Sequence, residues 1–153
     1  EALAPFRKAQ APRPESDPAA LPYLSPADAE APHALDITLE VFIETASMRA
    51  NGLAPHRLSL GSTRDLYWTP AQFVAHHSSN GCNLEPGDLF GSGTISGRDP
   101  GSFGSLMEIT RGGREPIALS NGESRTYLVD GDAIPNARNR RGSMPTASMA
   151  TRS

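Results

Sequence analysis

Trp68-Thr69-Pro70-Ala71-Gln72, Ala75-His76-His77, Asn80-Gly81-Cys82-Asn83-Leu84 and Pro86-Gly87-Asp88-Leu89 open the stretch that decides the reading of this chain. Ser92-Gly93-Thr94-Ile95-Ser96-Gly97 and Gly104-Ser105-Leu106-Met107-Glu108 close it. In order, these residues predict a capped helix, a turn, a Gly/Ser/Thr loop and a strand that carries one carboxylate among apolar neighbours. Thr69 is a good N-cap, Pro70 at the first helical position gives up no needed N–H, and Gln72 can complete a capping box. Gly81 suits the stop, which puts the helix near Pro70 to Ser79. Pro86-Gly87 marks a turn, and Asp88 to Ser96 reads as a strand interrupted by Gly91 and Gly93. Leu106 to Thr110 reads as a further strand, turned by Gly112-Gly113.

Working outward, Ala34 to Glu44 alternates. Leu35, Ile37, Leu39, Val41 and Ile43 share one face, which predicts a half-buried strand. Asn51-Gly52 falls in the following turn region, and Arg57-Leu58-Ser59-Leu60 fits a short partner strand. On the C-terminal side, Pro116 to Leu119, Asn121-Gly122 and Ser124 to Val129 predict a hairpin with a type I′ turn. Glu1 to Pro32 holds seven prolines, so most of it can be neither regular helix nor central strand. The expected fold is mainly β, a partial domain with one short helix. Residues 1–32 are expected to form a Pro-rich extended linker anchored at Leu21-Pro22-Tyr23-Leu24, and residues 33–134 the domain body. Residues 135–153 are expected to be an aberrant, disordered tail.

Composition narrows the function. The chain has 153 residues, 14 glycines, 14 prolines and a net charge of −3. That balance argues against a nucleic-acid surface. The four arginines after Pro135 leave ten basic and seventeen acidic residues before it. An acidic body with a basic tail can also signal a nucleic-acid arm, a reading set aside because the tail has another explanation below. No apolar run is long enough to span a membrane as a helix, and no signal peptide is visible. Cys82 is the single cysteine, so no intrachain disulfide forms, and it reads as a small buried thiol. His76 and His77 are adjacent on the helix, where side chains diverge by about 100°. They are therefore read as structural, and Tyr67 and Trp68 as core residues.

Two residues stand out as candidates for chemistry. Glu108 lies between apolar groups, where a raised pKa would suit acid–base work; a solvent-facing glutamate on an edge strand fits the same pattern. Thr94 lies in a loop of small residues whose N–H groups can approach an anion; a plain β turn fits that pattern too.

The quoted runs, in their order and spacing, resemble the C-terminal half of the fumarylacetoacetase family over roughly Leu21 to Ile134. The resemblance implies a hydrolase of tyrosine and phenylalanine catabolism that cleaves the C–C bond of 4-fumarylacetoacetate to fumarate and acetoacetate. It implies a β-rich, cytoplasmic homodimer acting on a small-molecule substrate, with no nucleic-acid or membrane partner. It also implies a divalent metal, magnesium or calcium, held by Asp and Glu ligands. It places Glu108 on the catalytic glutamate that works with a histidine to activate water, and Thr94 on the substrate-contacting threonine. The spacing between the two agrees. The family's metal ligands and catalytic histidine precede Glu1 in family order, so this chain is expected to be a fragment, inactive alone, with no metal ligands of its own. Its counterpart of the family's ending is missing after Ile134. One back-translation of Pro145 to Ser153 in a shifted frame restores a Gly-Tyr-x-x-Ile-like ending, which suggests a frameshift near Ile134. The rival readings are another oxo-acid hydrolase or decarboxylase of the wider superfamily, or an inactive β module.

Overall fold

In chain order the strands are β1 (Arg7–Lys8), β2 (Ala34–Leu35), β3 (Thr38–Ile43), β4 (His56–Ser62), β5 (Ile117–Ala118), β6 (Ser124–Arg125) and β7 (Asn136–Asn139). The helices are α1 (Ala46–Ala50), α2 (Pro70–Ser78) and α3 (Leu106–Ile109), with 3-10 turns at Ala4–Phe6, Pro22–Leu24, Thr63–Asp65 and Pro100–Ser102. These elements come from a computed structural model that describes residues 2–28 and 31–139. The result is small sheets with few helices, consistent with a mainly β domain. The expectation of one short helix is corrected, since three occur among the described residues.

Contacts divide the chain into two interleaved units. The first comprises Glu1–Asp36 and Thr63–Gly93. Here β1 pairs antiparallel with β2, and the Pro-rich stretch is laid against α2. Thr69 accepts the Gln72 amide and the Gln72 side chain accepts the Thr69 amide, so the capping box forms as the sequence predicts. The same Gln72 side chain donates to the Leu24 carbonyl at 2.9 Å, which ties the Leu21–Leu24 anchor to the helix start. Downstream of α2 the predicted strand from Asp88 to Ser96 does not form; the backbone there is irregular. Gly93 sits at φ +75°, a left-handed conformation that no regular strand accommodates.

The second unit comprises Ile37–Ser62 and Thr94–Ser153. Its sheet has the order β4-β3-β7. Alternation places Ile43 fully inside, and β3 pairs antiparallel with β4 with one register shift between Val41 and Phe42. After β3, Thr45 caps the unforeseen helix α1 by accepting the Met48 amide at 3.1 Å. Ile43, Met48 and Leu119 form the buried cluster, with Leu58 and Ile117 packed on it. β7 pairs with the other side of β3, in the first residues of the segment expected to lack regular structure. The edge of β3 that β4 leaves free offers backbone donors and acceptors, and β7 takes them up whatever its side chains. The remainder of that segment, 140–153, lies outside the described residues.

Two further expectations are corrected. The hairpin of β5 and β6 does not turn through a two-residue type I′ loop. Leu119 N–H donates to the Glu123 carbonyl at 2.8 Å and Gly122 N–H to the Leu119 carbonyl at 3.0 Å. Gly122 has φ +86° while Asn121 is not left-handed, whereas type I′ needs both. Leu106 to Thr110 is not a strand either. It holds the one-turn helix α3, because Ser105 stands extended at the N-cap and accepts the Glu108 amide.

Candidate functional site

Ser105 and Glu108 are three residues apart, the spacing at which an N-cap hydroxyl meets the third helical residue. That local geometry decides where the Glu108 side chain goes. The Ser105 hydroxyl accepts the Glu108 N–H at 3.3 Å and donates to Oε2 of the same residue at 2.8 Å. From the loop before it, the Ser96 hydroxyl lies 2.8 Å from both Oε1 and Oε2. The Ser96 oxygen in turn accepts the Gly104 N–H at 3.0 Å. Gly97 N–H donates to the Ser102 carbonyl at 3.1 Å, which holds the loop across the Pro100–Ser102 turn.

Gly104 is what lets the loop approach. A Cβ built there would stand 2.4 Å from the Ile95 carbonyl oxygen and 2.7 Å from the Thr94 methyl carbon. Thr94 therefore lies over Gly104, beside the Ser105 cap, on the same loop as Ser96. Thr94 and Glu108 are both solvent-exposed. A cavity of about 190 Å³ shares Gly104 and Ser105 with this site and is otherwise lined mainly by apolar residues, among them Leu58, Phe103 and Leu106.

The electrostatics differ from the sequence expectation. Glu108 is not wedged between apolar groups, and its pKa is not raised. The hydroxyl of Ser105, then that of Ser96, donate to the charged form and hold the carboxyl below the usual glutamate range. At neutral pH it is a carboxylate, and the same donors that hold it charged lower its affinity for a proton. The sequence reading missed both serines. Ser105 had a legible signal, the S-x-x-E capping pattern. Ser96 had none.

The other candidates separate from this site. His76 and His77 sit on α2 in the first unit. His76 Nδ1 lies 3.1 Å from the Tyr23 hydroxyl, and the His77 ring meets Phe90 edge-on at 5.1 Å. Tyr67 and Trp68 are not core residues. With Arg13, Tyr23, Phe73 and His76 they line a cavity of about 500 Å³. The Arg13 guanidinium lies over both rings, at 5.3 Å and 5.0 Å from their centroids. Cys82 is exposed rather than buried, because the chain has already left α2 and turned through Gly81 at φ +86°. Among the described residues no three His, Cys, Asp or Glu side chains come together to hold a metal ion. The described residues do not fit the magnesium or calcium that the resemblance implies. No described helix is long and apolar enough to cross a membrane.

Comparison with known proteins adds to this geometry. The family described as Fumarylacetoacetate (FAA) hydrolase C-terminal matches residues 15–143. The fumarylacetoacetase of Mus musculus is 43% identical over 135 residues, which is 88% of this chain and 30% of the mouse protein. The fumarylacetoacetase of Homo sapiens is 42% identical over 135 residues, with the same shares of 88% and 30%. That of Arabidopsis thaliana is 44% identical over 134 residues, 88% of this chain and 29% of the plant protein. This chain thus spans about 30% of the length of the curated relatives it matches. With the match running from before the Leu21–Leu24 anchor through Thr94 and Glu108 and beyond β7, the chain belongs to the fumarylacetoacetate hydrolase family, in its C-terminal part.

Proposed function

We propose that the whole protein carrying this chain is a hydrolase that cleaves the C–C bond of 4-fumarylacetoacetate to fumarate and acetoacetate, with Glu108 as the catalytic glutamate that works with a histidine of the whole protein to activate water, and Thr94 as a substrate contact. The observation that carries this reading is a carboxylate held charged by two hydroxyl donors, on a chain similar to fumarylacetoacetases. Hydrolysis of a C–C bond beside a carbonyl needs water made nucleophilic. Glu108 and its partner histidine take one water proton as the oxygen bonds to the carbonyl carbon. The C–C bonding pair then leaves with the acetoacetate fragment and is protonated. The Thr94 hydroxyl, on the loop beside Ser96, offers a hydrogen bond to a substrate oxygen. Tyrosine and phenylalanine breakdown, a homodimer and a cytoplasmic setting belong to this same reading of the whole protein.

The test is turnover of 4-fumarylacetoacetate by the whole protein and by its Glu108→Gln variant. Loss of a general base lowers kcat by about 10²- to 10⁴-fold. Undiminished kcat in the variant overturns the role of Glu108. No turnover in the parent protein overturns the substrate.

A further inference from the structure

Ser96 and Ser105 share one pattern. Each hydroxyl oxygen accepts a backbone amide, Gly104 N–H for Ser96 and Glu108 N–H for Ser105, and each hydroxyl hydrogen is directed at the same carboxylate. A hydroxyl has a single hydrogen to donate. Occupying its oxygen with a fixed amide leaves that hydrogen one useful direction. Ser105 has an ordinary reason to be there, since it caps α3. Ser96 has none: it caps no helix, and the hydrogen bonds above join its side chain to Glu108 and to the Gly104 amide.

The two hydroxyls do not treat the carboxylate oxygens alike. Oε2 lies within 2.8 Å of both, while Oε1 is met by Ser96 alone, at 2.8 Å, and shares that hydrogen with Oε2. A carboxylate has about four acceptor directions. Oε2 is therefore the anchored oxygen, and Oε1 keeps the more open one. The side chain is exposed, so without the serines it would sample several rotamers in water.

We propose that Ser96 and Ser105 are positioning residues for Glu108, anchoring Oε2 so that Oε1 is the oxygen presented to the water-activating step. The inference rests on the reading of Glu108 as a catalytic residue that works with a histidine. In the step itself one water O–H bond breaks, its proton passes to the glutamate–histidine pair that Oε1 faces, and its electron pair enters the new bond from oxygen to the carbonyl carbon. Gly104 completes the device, since a Cβ there would meet the Ile95 carbonyl of the loop that carries Ser96.

The test uses the whole protein, with Ser96→Ala, Ser96→Thr, Ser105→Ala and Glu108→Gln. The readouts are the Glu108 carboxyl titration, followed by carbon-detected NMR, and the pH profile of kcat. Each lost donor favours the protonated form, so in Ser96→Ala the titration midpoint rises and the acid limb of kcat moves to higher pH with it. The plateau kcat falls about tenfold, one hydrogen bond's worth, with KM little changed. Ser96→Thr, which keeps the hydroxyl, restores both. Should Ser96→Ala fail to fold, Ser105→Ala is read in the same way. A midpoint and acid limb that stay at the parent values in a folded alanine variant overturn the proposal. If Glu108→Gln is inactive at the same time, positioning alone has failed. If Glu108→Gln remains active, the catalytic reading has failed and the assignment of Oε1 falls with it.

Discussion

Replacing Gly104 by alanine puts a methyl group where the fold has no room for one. The new carbon would stand 2.4 Å from the Ile95 carbonyl oxygen, 2.7 Å from the Thr94 methyl carbon and 3.1 Å from the Ile95 carbonyl carbon, against 3.4 Å or more in ordinary contact. The Thr94 methyl can turn aside. The Ile95 carbonyl is backbone and can retreat only by carrying its neighbours, by about 1 Å if normal contact is to return. Ser96 is the next residue, and its hydroxyl is 2.8 Å from both Glu108 oxygens. A retreat of that size takes it past the limit of a hydrogen bond. Overpacking of this kind costs about 1–3 kcal/mol of stability. A misplacement of about 1 Å at a reacting centre costs about 10²-fold in rate. The assay is a pair of urea melts with turnover of 4-fumarylacetoacetate by the whole protein, using Gly101→Ala as the control. Nothing lies within 4 Å of a Cβ at Gly101, so that variant should match the parent. Gly104→Ala is expected to unfold at lower urea and to lose about two orders of magnitude in kcat. If it melts and turns over like Gly101→Ala, the close approach is not what brings Ser96 to Glu108.

Two further outcomes are expected. Met48 is fully buried in the small cluster with Ile43 and Leu119, so Met48→Ala should cost about 2–5 kcal/mol in a urea melt, enough to unfold much of a marginally stable domain. Asp132 has a side chain only 1% exposed and is held by Arg125 at 2.9 Å. First the Arg125 guanidinium and then the Val129 N–H push its carboxyl below the usual aspartate range. The stability this supplies is present above the unfolded-state pKa and is lost as pH falls through the lower folded-state value. Asp132→Asn should therefore lower stability at neutral pH by about 1–3 kcal/mol and flatten the acid loss below about pH 4, read as urea midpoint against pH.

The parts of the fold that were legible are those whose cause is local or periodic. Thr69-Pro70-Ala71-Gln72 carries its own capping box, and α2 begins where those residues say. The alternation from Ala34 to Glu44 predicts one strand where the fold makes two, β2 and β3, in different sheets, and β4 pairs with the second of them. Leu106 to Thr110 was misread because five residues alternate equally well on a strand and around one helical turn; the decisive residue, Ser105, stands just outside that window. Asn121-Gly122 suggested a two-residue turn, but the Leu119–Glu123 pairing sets a three-residue loop that dipeptide chemistry does not reveal. For the site, Glu108 and Thr94 were nameable through resemblance, while the environment of Glu108 was not. Its lowered pKa depends first on Ser105, then on Ser96, twelve residues away in sequence, and on a glycine whose role is an absent side chain.

The site is also short in sequence. The hydrogen bonds that aim Glu108 span twelve, eight and three residues, whereas Thr45 reaches Glu123 across seventy-eight. Loops of about ten residues close in about 10–100 ns, and their closure entropy is small beside that of long-range pairing. Residues 94–108 can assemble their hydroxyls around the carboxylate early, at low contact order, while the sheet is still searching for its register. Substitutions in the strands then alter how often the whole domain is folded and leave the aim of the carboxylate unchanged. Substitutions within residues 94–108 disturb that aim directly, and Gly104→Ala does so at a cost in stability as well.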